Sequence, residues 1–192
     1  ICDFDRICDH LIVVDHSSFK RKVVGCYRLL RQEVAQANGG FYSAQEFDIA
    51  PLLARHSDKR FLELGRSCVA REHRGKRVLE LLWRGLWTYA RHHACDVMIG
   101  CASLPGADPG LHGGALAFLR DHAAAPAEWR ASALPARRAD VIADAQPESR
   151  RALAALPPLV KGYLRLGAAF GDGARAYGTN ATALGPNAVA SH

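Results

Sequence analysis

The segment from Phe61 to Ala90 constrains the fold more than any other part of the chain. FLELGRSCV (Phe61 to Val69) reads as a strand, and the turn Arg71-Glu-His-Arg-Gly-Lys-Arg77 follows it. After the turn, Leu79, Leu82, Trp83, Leu86, Trp87 and Ala90 recur at i, i+3, i+4 spacing, the pattern of an amphipathic helix with a broad apolar stripe. A stripe of that width has to be buried against a second layer, and the strand before it supplies one. Leu11 to Val14 and Lys22 to Leu30 read as two more strands, joined as a hairpin or meander through Ser17-Ser18. Asp96 to Ser103 is expected to be a buried strand, Ala115 to Ala124 a helix and Pro147 to Leu156 a short helix. Pro157-Pro158 then stops the chain ahead of a final strand, Val160 to Ala168. The order β-β-β-α-β-α-β predicts an α/β (α+β) domain with a mixed sheet.

Between Ala54 and His92 ten basic residues face four acids, a surplus of six that equals the net charge of the whole chain, +6. The positive field is therefore local and points to an anionic partner: phosphate, nucleic acid, lipid headgroups or an acidic protein. With 49% hydrophobic and 23% charged residues the chain is too apolar to be disordered. No apolar run approaches the roughly 20 residues of a membrane span. The six cysteines form no CxxC pair, and Cys26, Cys68 and Cys101 lie in apolar segments, as buried free thiols in a reducing cytoplasm would. Cys2, Cys8 and His10, or His92, His93 and Cys95, lack a second paired half at zinc-site spacing, so no metal is expected.

A strand, a basic glycine-containing turn and a helix start together make a phosphate-binding arrangement, with unpaired N–H groups at the helix start and the charges of Arg71, Arg74, Lys76 and Arg77 beside them. The segment has neither GxxxxGK[ST] nor GxGxxG, which argues against nucleotidase and dinucleotide sites. Val69, Arg71-x-x-Arg74-Gly75-Lys76 and the helix after them resemble the acyl-carrier loop of GNAT acyltransferases. Arg74 and Lys76 stand where that family usually has glycines. The extra cations suit a phosphopantetheine arm delivered on an acidic acyl carrier protein.

The resemblance narrows through Glu63-Leu-Gly-Arg66-Ser-Cys-Val69, which is similar to a strand of acyl-homoserine-lactone and N-acyl amino acid synthases, and through the acidic segment Asp3 to Val13. Gly40 to Asp48 (GFYSAQEFD), Gly100 to Pro109 (GCASLPGADP) and Leu156 to Ala168 (LPPLVKGYLRLGA) resemble the ornithine N-acyltransferases that make lyso-ornithine lipid. The match covers about Asp3 to Ala174, so residues 1–174 are expected to be a GNAT-like acyltransferase domain lacking the family's usual first strand and helices. Residues 175–192, rich in Gly, Ala and Asn, are expected to be an atypical, poorly ordered tail.

The resemblance implies transfer of a 3-hydroxyacyl group from acyl carrier protein to the α-amine of ornithine, with acyl-phosphopantetheine as donor and no permanently bound cofactor. It implies a cytoplasmic protein with peripheral contact to anionic membrane. It makes Glu63 the general base beside Arg66, with a backbone N–H of Cys68 to Ala70 on the thioester oxygen. Val69, Arg71, Arg74, Gly75, Lys76 and Arg77 would hold the donor arm. Asp5, Asp9, Asp48, Ser103 and His112 would line the acceptor and acyl sites. Each role has a plain rival. Glu63 pairs equally well with Arg66 or Arg28, the three aspartates cap turns, His112 is a structural loop histidine, and Tyr42 and Phe47 are core. Strict alternation puts Glu63, Gly65 and Ser67 on one face and Arg66 on the other, unless a bulge at Gly65 intervenes. Two alternatives to ornithine acylation stay open: another acceptor, including an acyl-homoserine-lactone-type product, and a non-catalytic basic module. Few aromatics interleave with the basic run, which argues against nucleic acid.

Overall fold

The computed structural model describes residues 2–17, 19–74, 76–102, 104, 112–137, 149–171 and 188–189, with Lys76, Ser149, Ala188 and Val189 described by backbone alone. In chain order its elements are α1 (Phe4–Ile7), β1 (Asp9–Asp15), β2 (Lys22–Arg31), α2 (Gln32–Ala37), β3 (Phe47–Asp48), α3 (Ala50–Arg55), β4 (Phe61–Val69), α4 (Lys76–His92), β5 (Val97–Ile99), α5 (Gly113–Ala123), β6 (Ser132–Ala133), α6 (Ser149–Ala155), α7 (Pro158–Arg165) and β7 (Ala188–Val189). They group into two compact units, one of residues 1–41 and 59–97 and one of residues 42–58 and 98–192.

In the first unit β1, β2 and β4 form an antiparallel sheet in that order. The chain enters β5 at Val97, whose N–H donates to the Arg60 carbonyl at 3.2 Å. One face of the sheet carries Leu11, Gly25, Tyr27, Leu29 and Leu64, and α4 packs on it. Val78, Leu82, Leu86 and Ala90 are the buried residues of that helix, and Trp83 lies 6.3 Å from the Tyr27 ring centroid. Burying each of the two leucines is worth about 1.5–3 kcal/mol. The apolar stripe is therefore rotated from its expected position: Trp87 is 43% exposed, and Val78 takes the first core position.

Close approach of helix and sheet needs a missing side chain at position 25. A Cβ there would fall 2.8 Å from Val78 Cγ1, on a branched side chain with little freedom to yield. Gly25→Ala should therefore destabilise the chain by about 1–3 kcal/mol through overpacking. A urea-unfolding midpoint equal to that of the parent chain would refute this.

In the second unit β3 pairs antiparallel with β6, Phe47 opposite Ala133. Phe47 is core, as expected. A separate apolar cluster joins Leu104, Ala115, Leu116, Leu119, Leu156, Val160 and Phe170. The final strand expected over Val160 to Ala168 is instead helix α7. Pro157 and Pro158 do not stop the chain there. They start a helix, since proline at the first helical position has its φ already set and lacks only an N–H that would be unpaired anyway. Val160, Tyr163 and Leu164 then meet the apolar cluster at i, i+3, i+4 spacing. Gly167, at φ +79°, ends the helix in a Schellman motif, with Ala168 N–H donating to the Tyr163 carbonyl and Gly167 N–H to the Leu164 carbonyl. The strand expected over Asp96 to Ser103 shortens to Val97–Ile99. No helix among the described residues is long and apolar enough to cross a membrane.

Candidate active site

Sheet register decides which side chains of the first unit share a face. Across β2 and β4, Leu30 stands opposite Glu63, Arg28 opposite Gly65 and Cys26 opposite Cys68, so these residues line the face turned away from α4. The register slips by one between the last two rungs, leaving Arg66 and Ser67 together opposite Tyr27. This is a β-bulge one residue beyond the expected Gly65. Arg66 adopts φ +50° there, and its side chain is exposed.

Glu63 and Arg28 are each only 5% exposed, two charged groups inside an apolar sheet. Arg28 Nη1 donates to Asp5 Oδ1 at 2.9 Å and approaches Cys2 Sγ at 3.2 Å, and its guanidinium carbon lies 5.4 Å from the Phe4 ring centroid. The N–H of Cys2 donates to the other Asp5 oxygen at 2.7 Å. The guanidinium lies across β4 at Gly65, where a Cβ would be in ordinary van der Waals contact with Arg28 Nε at 3.4 Å. Glu63 is the diagonal neighbour of Arg28 across the ladder, a separation long side chains span. Short helix α1 thus delivers Phe4 and Asp5 to a buried polar cluster centred on Arg28.

Charge and burial act together on this cluster. The N–H of Cys2, and after it the Arg28 guanidinium, hold the Asp5 carboxyl well below the usual carboxylate range, against a smaller opposing effect of desolvation. Burial pushes the Cys8 thiol up to about 11; Arg28 opposes the rise, while Glu63 and Asp5 add to it, so Cys8 stays protonated at neutral pH. Because the folded pKa of Asp5 is depressed, its contribution to stability is complete above the unfolded carboxylate pKa of about 3.9 and is lost as pH falls below it. Stability of the parent chain should therefore fall more steeply between about pH 5 and pH 2 than that of Asp5→Asn. Superimposable unfolding midpoints across that interval would contradict the assignment.

Asp9 lies apart from this cluster. It stands opposite Leu29 and so faces α4, where it accepts a hydrogen bond from the Tyr89 hydroxyl and lies 3.6 Å from Arg31 Nε. Burial, and after it Asp9, raise the Tyr89 phenol above its ordinary range. Asp5 and Asp9 are four residues apart in sequence, but the sheet separates them.

In the cationic turn, Arg71 begins a short 3₁₀ turn (Arg71–His73) after β4, and Arg71, Arg74 and Arg77 are all exposed. Arg74 Nε donates to the Val69 carbonyl at 3.3 Å, folding the turn back on the strand end. Exposed Glu72 lies 3.8 Å from Lys22 Nζ in a surface ion pair beside these arginines. Gly75 and the Lys76 side chain lie outside the described residues, as does Ser103. Asp48 and His112 belong to the second unit. Asp48 is exposed opposite Ser132, and His112 precedes α5 with a buried Nε2 that has no hydrogen-bond partner among the described residues.

All six cysteines are free; of the three expected to be buried, Cys26 and Cys101 are half-buried, and Cys68 is exposed because the bulge shifts it to the face turned away from α4. Among the described residues no group of three metal-ligating side chains occurs. The residue that sequence reasoning placed only as a possible partner of Glu63 is Arg28. Its signal was a lone cation inside the apolar run VVGCYRLL.

A family model described as an acetyltransferase (GNAT) domain matches residues 1–84. The L-ornithine N(alpha)-acyltransferase of Agrobacterium fabrum is 56% identical over 176 residues, covering 89% of this chain and 60% of that protein. The protein of the same name from Rhizobium meliloti is 53% identical over 179 residues, with 91% and 60% covered. That of Rhodobacter capsulatus is 41% identical over 175 residues, with 90% and 67% covered. The chain thus spans 60% of the length of the first two curated relatives. No solved structure matches it.

Proposed function

We propose, from the premise that this chain belongs to the L-ornithine N(alpha)-acyltransferase family, that it acylates the α-amine of ornithine. The donor is a 3-hydroxyacyl thioester on the phosphopantetheine of an acyl carrier protein. The observation that carries this reading is the 56% identity to a protein of that name over 89% of the chain.

The ornithine α-ammonium has to lose a proton before it attacks, and Glu63 is the carboxylate assigned to take it, directly or through one water. The amine nitrogen then bonds to the thioester carbonyl carbon, the C–S bond breaks, and the pantetheine sulfur leaves as a thiol once protonated. Negative charge gathers on the carbonyl oxygen in between and calls for an N–H donor. Of the three N–H groups expected to serve, that of Ala70 already donates to the Val24 carbonyl at 2.8 Å. Cys68 lies two residues back along the same ladder, so its N–H also turns toward β2, whereas that of Val69 turns to the other edge of β4. Val69 is therefore the assigned donor.

Exposed Arg71, Arg74 and Arg77 suit the acidic surface of a carrier protein and the phosphate of its arm. Arg28 and Asp5 act as positioning residues, holding the face from which Glu63 works. The resident cofactor requirement is none, and the reaction belongs at the cytoplasmic face of a membrane that receives the lipid product.

The test is to incubate the purified chain with 3-hydroxyacyl carrier protein and ornithine and follow lyso-ornithine lipid by mass spectrometry. Product that depends on both substrates is expected. Equal rates with lysine or homoserine would overturn the acceptor. Absent turnover, together with salt-sensitive binding to anionic vesicles, would favour a binding module.

A further inference from the structure

The face of β2 and β4 turned away from α4 carries a second chemical feature beyond the Arg28 cluster. Cys26 and Cys68 are Cα partners in the antiparallel ladder, and both are free thiols, Cys26 partly exposed and Cys68 exposed. Two residues along, Ala70 N–H donates to the Val24 carbonyl. Hydrogen-bonded and non-hydrogen-bonded rungs alternate, so the Cys26–Cys68 rung is also hydrogen-bonded, with its Cα atoms about 5.5 Å apart. That separation lies inside the window of about 4.4–6.8 Å in which a disulfide closes. The two side chains leave the same face, and the Cys26 thiol pKa is raised by burial and then by the Cys68 thiol, while a hydrogen bond with the Cys68 backbone opposes the rise. Cys26 Sγ also lies 3.9 Å from the carbonyl of Arg66, so the rung abuts the bulge. The other cysteines of the first unit are engaged elsewhere: Cys2 touches Arg28, Cys8 is buried, and Cys95 Sγ lies 4.0 Å from the His93 carbonyl.

We propose that Cys26 and Cys68 form a cross-strand dithiol that a low-molecular-weight disulfide, such as glutathione disulfide, oxidises to an intramolecular disulfide. The thiolate of exposed Cys68 attacks one sulfur of the glutathione disulfide and expels a glutathione thiolate. The Cys26 thiolate then attacks Cys68 Sγ and expels the second. The protein thiols lose two protons and two electrons, and one glutathione disulfide becomes two glutathiones. A disulfide bridging directly opposed, hydrogen-bonded strand positions is strained, and it is exposed; both properties make it easily reduced again. Closed, it ties β2 to β4 beside the bulge, on the face that carries Glu63. The site stands independently of the transfer reaction, because its readout is covalent.

The experiment treats the native chain with glutathione disulfide, unfolds it in urea, alkylates the remaining thiols and maps peptides without reduction. The expected product has lost two hydrogens, carries alkyl label on the other four of its six cysteines, and yields one cross-linked peptide joining Cys26 to Cys68. Added dithiothreitol should restore all the labels. The Cys26→Ser chain should instead stop at a glutathione mixed disulfide on Cys68. A stable mixed disulfide on Cys68 in the parent chain, or a cross-link between any other pair, would overturn the proposal. So would equally fast release of glutathione from the Cys26→Ser chain.

Discussion

Glu63→Gln is expected to lower kcat by roughly 10²–10⁴-fold, the usual contribution of a positioned general base, while the chain stays folded. Glutamine keeps the shape and can still accept a hydrogen bond from neighbours, but it cannot take a proton from the ornithine ammonium. The measurement is the rate of acyl transfer from the carrier thioester at saturating ornithine, with circular dichroism to verify the fold. A variant that kept full activity would leave Glu63 with a structural role only, and the base would have to be sought elsewhere.

Arg28→Ala should be the most destabilising single change in the first unit, costing roughly 3–5 kcal/mol. Arg28 and Glu63 are each 5% exposed, and the alanine variant removes the 2.9 Å ion pair with Asp5 together with the cation diagonal to buried Glu63. Such a loss is a large fraction of the roughly 5–15 kcal/mol that holds a domain together. A lower urea midpoint with an unchanged m-value is the expected signature. The double variant Arg28→Met with Glu63→Leu separates charge from shape, because replacing both partners with apolar groups removes the stranded ion and should recover much of the stability. If Arg28→Ala unfolded at the parent midpoint, the cluster would be neither structural nor a positioning device.

The helix α4 and the strands β1, β2 and β4 were legible because periodicity is local. A 3.6-residue repeat or a β-rich run bounded by charge shows in the sequence whatever packs against it. The family was legible for a similar reason, since its motifs are short contiguous strings. Even so, the helix presents Val78 in place of Trp87 to the sheet, because burial depends on where the missing side chain of Gly25 lets the helix settle. Val160 to Ala168 misled for the opposite reason. Its β-branched and aromatic residues suggested a strand, and what won was a proline-started helix with an apolar cluster to face.

The sequence by itself determined that a strand bearing Glu63 and Arg66 runs into a cationic turn and an amphipathic helix, and that this local surplus accounts for the net charge of +6. It could not sort those charges by face. The tertiary structure alone decided that Asp5 joins Arg28 while Asp9 joins Tyr89 on the far side of the sheet, that Arg66 is the exposed member of the motif, and that Cys26 meets Cys68. The physical reason is the register of β2 against β4. A single extra residue at Arg66–Ser67 re-aims every side chain beyond it, and no count of charges along the chain records where that residue is inserted.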